Sequence, residues 1–116
     1  MILSNTESIP GHNITHHVGL VQGNTVRAKH LGRDLMAGLK NIVGGELKGY
    51  TELLEDARRE ATQRMIDDAA SKGANAIVNV RFSTSAITAG ASELYVYGTG
   101  VAVSYTHLTL PTIYAV

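Results

Sequence analysis

The sequence predicts a small two-layer domain of the α+β class, in which a sheet packs on one long helix with a short helix in addition. Three patterns predict it. Residues 50 to 72 carry apolar side chains every three to four positions, three other segments alternate with a period of two, and glycine or Pro-Gly breaks separate them.

The elements follow in order. Ile2 to Ser4 is a short edge strand, and Pro10-Gly11 turns the chain into a strand over Ile14 to Gln22. There Ile14, His16, Val18 and Leu20 share the expected core face, Thr15, His17, Gly19 and Val21 the other, and Gly23-Asn24 is expected to break the strand. A short helix is expected over Asp34 to Ile42, with Leu35, Leu39 and Ile42 on one stripe and Gly44-Gly45 ending it.

The long helix is the most regular feature. Tyr50, Leu53, Leu54, Ala57, Ala61, Met65 and Ala69 form its apolar stripe, while Glu52, Glu55, Asp56, Arg59, Glu60 and Arg64 populate a solvated face. Thr51 is a cap if the helix starts one turn late, Glu55 and Arg59 stand four apart, and Gly73 takes the C-cap position. Beyond it, Ala76 to Thr84 alternates with Ala76, Val78, Val80 and Phe82 on one face and Asn79, Arg81 and Ser83 on the other. Ala89-Gly90-Ala91-Ser92 is a turn. Leu94 to Val103 is the last strand, apolar on both faces: Leu94, Val96 and Ala102 against Tyr95, Tyr97, Val101 and Val103. One helix covers one face of a sheet, so a strand apolar on both sides predicts a second cover, and self-association supplies it economically.

Composition bounds the function. The 116 residues suit one domain that buries roughly two thirds of its unfolded surface. Ten basic side chains balance ten acidic ones, leaving no net field for nucleic acid or an anionic membrane. Cysteine is absent, which excludes disulfides, thiolate metal sites and cysteine nucleophiles. No apolar run approaches the roughly 20 residues of a membrane span, and the first residues lack the pattern of a secretory signal. The expectation is a cytoplasmic protein with neither nucleic-acid nor membrane partners.

Several segments together point to a family. Ile14-Thr15, Gly19 to Gly23, Arg33-Asp34, Ala37 to Gly45, Tyr50, Ala57-Arg58, Gly73 to Val78 and Gly98 to Val103 follow the order and spacing of the YbjQ-like bacterial proteins, which residues 1–104 resemble. The resemblance implies a β-α-β-β subunit similar to dodecin subunits, with an antiparallel sheet on the long helix, assembled as a ring-shaped homopentamer. It also implies a family of unknown function labelled heavy-metal-binding. The chain departs from the pattern at Arg81-Phe82-Ser83-Thr84-Ser85, where the family commonly carries acidic residues and a tyrosine. Residues 105–116 resemble no part of it and read either as non-native sequence or as an extension that docks on a neighbour, its Leu108-Thr109-Leu110 alternation suiting an edge strand.

Two groups of residues are candidate sites. His12, His16 and His17 lie close in sequence and imidazole ligates zinc, copper or nickel. Adjacent strand residues point to opposite faces, however, so His16 and His17 share an ion only if symmetry-related copies contribute; the alternative is a structural His16 and solvent-exposed neighbours. The second group is Arg33, Asp34, Gly44 and Gly45, where a helix N-terminus and a glycine loop offer amides to an anion. The glycine pair follows its helix, unlike a phosphate-binding fingerprint, so capping by Asp34 and an intersubunit ion pair of Arg33 is the competing account.

Catalysis has less to stand on. Neither Gly-x-Ser-x-Gly nor His-Glu-x-x-His occurs, and Glu52, Glu55, Asp56, Glu60, Asp67 and Asp68 read as surface charge. Tyr50, Tyr95 and Tyr97 are the remaining acid groups, more readily placed in the core. The sequence therefore predicts a non-enzymatic oligomeric binding module, with a small ligand or protein partner at subunit interfaces and its cofactor unknown. A metal-handling protein is the alternative.

Overall fold

A computed structural model describes residues 1–27, 48–88 and 91–105 of the chain. The elements are β1 (Ile2–Leu3), β2 (His12–Arg27), α1 (Lys48–Ser71), β3 (Ala76–Thr88) and β4 (Ala91–Tyr105). The strands form one sheet in the order β1-β3-β4-β2, with α1 packed mainly over β2 and β4. The result is an α+β fold. β4 pairs antiparallel with β2 and β3, but β1 runs parallel to β3, so the sheet is mixed where an antiparallel one was expected. The expected short helix over Asp34 to Ile42 lies outside the described residues.

The long helix forms where its periodicity places it, and among the described residues its core stripe is alanine apart from Met65. Ala57, Ala61, Met65 and Ala69 are buried, whereas Leu54 is 41% exposed. Alanines let the helix axis approach the sheet closely, and Gly23 completes the fit: a methyl there would overlap the Ala61 carbonyl oxygen and the Met65 amide nitrogen. Gly23 therefore serves close packing within a continuous β2 and is not the strand break that its turn-like neighbour Asn24 suggests.

The helix ends in two backbone bonds, Ala74 N–H to Ala69 O at 3.0 Å and Gly73 N–H to Ala70 O at 3.1 Å, with Gly73 at φ +88°. This is the Schellman arrangement, and it turns the chain directly into β3. At the other end the helix begins at Lys48, so Thr51 stands inside its first turn and is not the N-cap. Arg59 pairs with Asp56 at 2.6 Å, three residues away.

Two strands change phase midway. In β2 the register shifts between Ile14 and His16 and again between His17 and Gly19. Each bulge adds one residue and exchanges the faces of all that follow. The two exchanges cancel beyond Gly19, so Leu20 shares the face of Ile14, away from α1, and Val21 enters the helix-side core: Val21 is fully buried and Leu20 is 57% exposed. Ile14 packs on the face away from α1, while Val18 joins the helix-side core. In β3 a shift between Val78 and Arg81 has the same effect, with Asn79 at φ +55°. Val78 faces away from the helix, and Val80 packs against the helix-side cluster. The single-faced set of Ala76, Val78, Val80 and Phe82 is thereby split.

Both sheet faces carry a core. Val21, Ala61, Met65, Ala69, Ile77 and Val96 form the helix-side cluster, and Ile9 with Ala76, Val78 and Val101 forms the opposite one. The segment between β1 and β2 supplies that second cover, held by Asn79 N–H to Thr6 O at 2.9 Å and by Arg81 Nη1 to Asn5 O at 2.7 Å. It covers only the part of the face near Val101. Further along, Leu20 and Val26 remain exposed.

Candidate functional site

β2 is an outer strand of the sheet, and its outward backbone groups would be bare without a partner. The last turns of α1 supply one. Arg64, Asp68 and Lys72 recur every four residues along one stripe and reach the strand edge in sequence. Arg64 Nη1 donates to Asn24 O at 2.7 Å, Asp68 Oδ2 accepts from Gln22 N–H at 3.0 Å, and Lys72 Nζ donates to Leu20 O at 3.0 Å. Three side chains thus occupy the positions that a neighbouring strand would fill. Lys72 Nζ also lies 3.3 Å from Asp68 Oδ2, and Arg64 Nη2 lies 3.7 Å from Glu60.

Beside this ladder opens a cleft of about 530 Å³, lined by Gln22, Gly23, Asn24, Arg64, Asp68, Lys72, Glu93 and Tyr95. Its β4 wall comes from the face away from α1, because Gln22, Asn24 and their partners Tyr97 and Tyr95 share that face. The Tyr95 hydroxyl donates to Gln22 Oε1, and Asn24 Nδ2 donates to Glu93 Oε2 at 2.8 Å. Tyr95 also stacks on Tyr97, with ring centroids 5.3 Å apart and 24° between planes. Polar groups of both signs are therefore held in place before anything binds, the condition for selective recognition.

Most of this site escaped the sequence. Asp68 is not free surface charge, since its side chain is 29% exposed and bonded to the β2 backbone. Tyr95 and Tyr97 are half-buried on the sheet face away from the helix, not in the helix-side core, and the Tyr50 side chain lies outside the described residues. The one available signal was the Arg64-Asp68-Lys72 spacing, which by itself is an ordinary surface pattern.

The candidate residues named from sequence lie elsewhere. Arg33, Asp34, Gly44 and Gly45 are outside the described residues. His12 has its Nδ1 3.0 Å from Pro10 O and its ring stacked on Tyr105 at 4.5 Å. His16 and His17 are exposed and pair with consecutive β4 residues, Ala102 and Val101, so they point to opposite faces. Among the described residues no group of three or more His, Asp or Glu side chains is placed to hold a metal ion. The soft ligands that heavy metals favour are also scarce, because the chain has no cysteine. Donors within one chain's described residues thus do not make up a metal centre.

Comparison with known proteins gives a consistent pattern. Residues 1–104 match the family model YbjQ_1, described as "Putative heavy-metal-binding". The chain is 66% identical to a UPF0145 protein of Hahella chejuensis over 101 residues, 87% of this chain and 97% of that protein. It is 64% identical to one from Acinetobacter baylyi over 103 residues, 89% of this chain and 95% of its relative. Among solved structures it resembles a protein of unknown function of the DUF74 family from Pediococcus pentosaceus. That likeness has a TM-score of 0.52 at 16% identity and covers 91% of this chain and 98% of the other, a likeness of fold. No helix among the described residues is long and apolar enough to cross a membrane.

Proposed function

From the premise that this chain belongs to the YbjQ_1 family, whose UPF0145 members are uncharacterised, we propose that it is a non-enzymatic binding module working as a homopentamer. Clefts along its sheet edges are the places where it takes up a ligand or partner. The observation that carries the assembly is the exposure of Leu20 (57%) and Val26 (50%) on the sheet face away from α1. Fully burying one such side chain contributes about 1.5–3 kcal/mol, and a copy of the same chain supplies matching surface in a closed ring. The ring size of five rests on family resemblance. Binding is supported by the cleft beside β2, whose polar groups are already oriented by one another.

The family label favours a second reading, metal handling. It requires donors from more than one copy, with His12, His16 and His17 as the imidazoles available on β2. Anion binding by Arg33, Asp34, Gly44 and Gly45 is a further component of the binding-module reading.

Native mass spectrometry of the purified protein tests both. A pentamer, empty or carrying an organic molecule, is the expected result. A pentamer with stoichiometric metal would transfer the assignment to metal handling, and a monomer at micromolar concentration would overturn the assembly.

A further inference from the structure

The cleft beside β2 has an uneven distribution of charge that points to one class of ligand. Lys72 and Asp68 satisfy each other at 3.3 Å and both hold the strand edge. Arg64 and Glu93 remain. Arg64 makes a long ion pair with Glu60 and one backbone bond, leaving further guanidinium N–H groups over. Glu93 is half-buried and, among the described residues, has the Asn24 amide as its hydrogen-bond partner and no ion pair. A half-buried carboxylate with one neutral partner has unspent capacity for a cation.

Asn24 ties these two charges together. Its backbone oxygen accepts from Arg64 at 2.7 Å, and its side-chain amide donates to Glu93 at 2.8 Å. A cation and an anion are thereby held within the span of one residue and two hydrogen bonds. Both line the same cleft. A simple anion entering there gains from Arg64 but meets Glu93, and a simple cation gains from Glu93 but meets Arg64. A molecule carrying both charges gains from both.

We propose that this cleft binds a small zwitterion with a carboxylate and an ammonium group, of which a free amino acid is the simplest kind. Arg64 takes the carboxylate and Glu93 the ammonium, while Gln22 and Tyr95 line the wall beside them. The assignment rests on the binding-module reading and deepens it by naming the ligand class.

The test is calorimetric titration of the full chain with the common free L-amino acids, one at a time. The tightest binder is then compared with its two analogues lacking either the amine or the carboxylate. Loss of either group is expected to weaken binding by about tenfold or more, the size of one charge-assisted hydrogen bond. Glu93→Gln keeps the side-chain shape and an acceptor for Asn24 but removes the charge. It should weaken the amino acid and leave the amine-free analogue no weaker, erasing the difference between them. An analogue lacking one charge that binds as well as the parent overturns the zwitterion assignment and leaves a binding module standing. Absence of heat with every amino acid also overturns it, while native mass spectrometry of the purified protein still reports separately on any other ligand.

Discussion

Asp68 Oδ2 accepts the backbone N–H of Gln22 at 3.0 Å, so a helix carboxylate stands where the carbonyl of an added strand would stand. With Arg64 and Lys72 on either side, the helix covers the stretch of its own sheet's outer edge from Leu20 to Asn24. Unpaired edges invite pairing with other chains, and charged side chains placed against them are a recurrent protection. The same arrangement builds one wall of the candidate site.

Asp68→Ala should therefore cost stability beyond an ordinary surface change. It removes a charge-assisted bond to Gln22 and a partly screened ion pair with Lys72, and urea unfolding should show a loss of about 1–2 kcal/mol. A loss indistinguishable from zero would mean that water replaces the carboxylate at the edge without cost.

Gly23→Ala should be more damaging. The added methyl meets backbone atoms of Ala61 and Met65, which cannot rotate aside as a side chain can, so helix and strand must separate. Denaturant unfolding should show about 3 kcal/mol lost, the upper end for overpacking. A Gly23→Ala protein of normal stability would contradict this closeness of approach.

Met65→Ala tests the core under the same contact. Met65 is fully buried between the helix and the sheet and is among the largest wholly buried side chains described. Its truncation should cost about 2–5 kcal/mol by thermal or chemical unfolding.

Gly73→Ala probes the helix end without touching a contact. At φ +88° nothing lies within 4 Å of an added methyl, so only backbone conformation opposes it. The expected loss is about 1–2 kcal/mol, the left-handed penalty for an L-residue, with the sheet unchanged by circular dichroism.

How much was legible follows from how each feature is encoded. The helix over 50 to 72 is observed as Lys48–Ser71, because a 3.6-residue repeat and a glycine stop are local signals. The strands were legible in place but not in length, since β2 runs through Gly23-Asn24 to Arg27 and β4 begins at Ala91, inside the expected turn, and strand faces were not legible. A bulge inserts one residue without any change in composition, and the side chains beyond it exchange faces until a second bulge restores them, as happens in β2 between Ile14 and Gly19. Leu20 and Val21 are both apolar, so only the pairing of β2 with β4 decides which is buried.

The candidate site was less legible still, since it joins residues 22 to 24, 64 to 72 and 93 to 95. Reading Asp68 as solvated charge was reasonable for a helix considered alone. What changes its role is the placement of β2 at the edge of the β1-β3-β4-β2 order, directly beneath the end of α1.

The amino-acid sequence by itself determined the class of fold, the long helix and its end at Gly73, the absence of thiol chemistry and the family. These depend on residue type and short-range spacing, which are properties of a chain read in one dimension. The tertiary structure alone decided which faces became core, why Gly23 must lack a side chain, and how Arg64, Asp68 and Lys72 came to close a strand edge beside Asn24 and Glu93. Those outcomes depend on which distant backbones meet, and hydrogen bonds across the sheet edge exist only once that meeting is made.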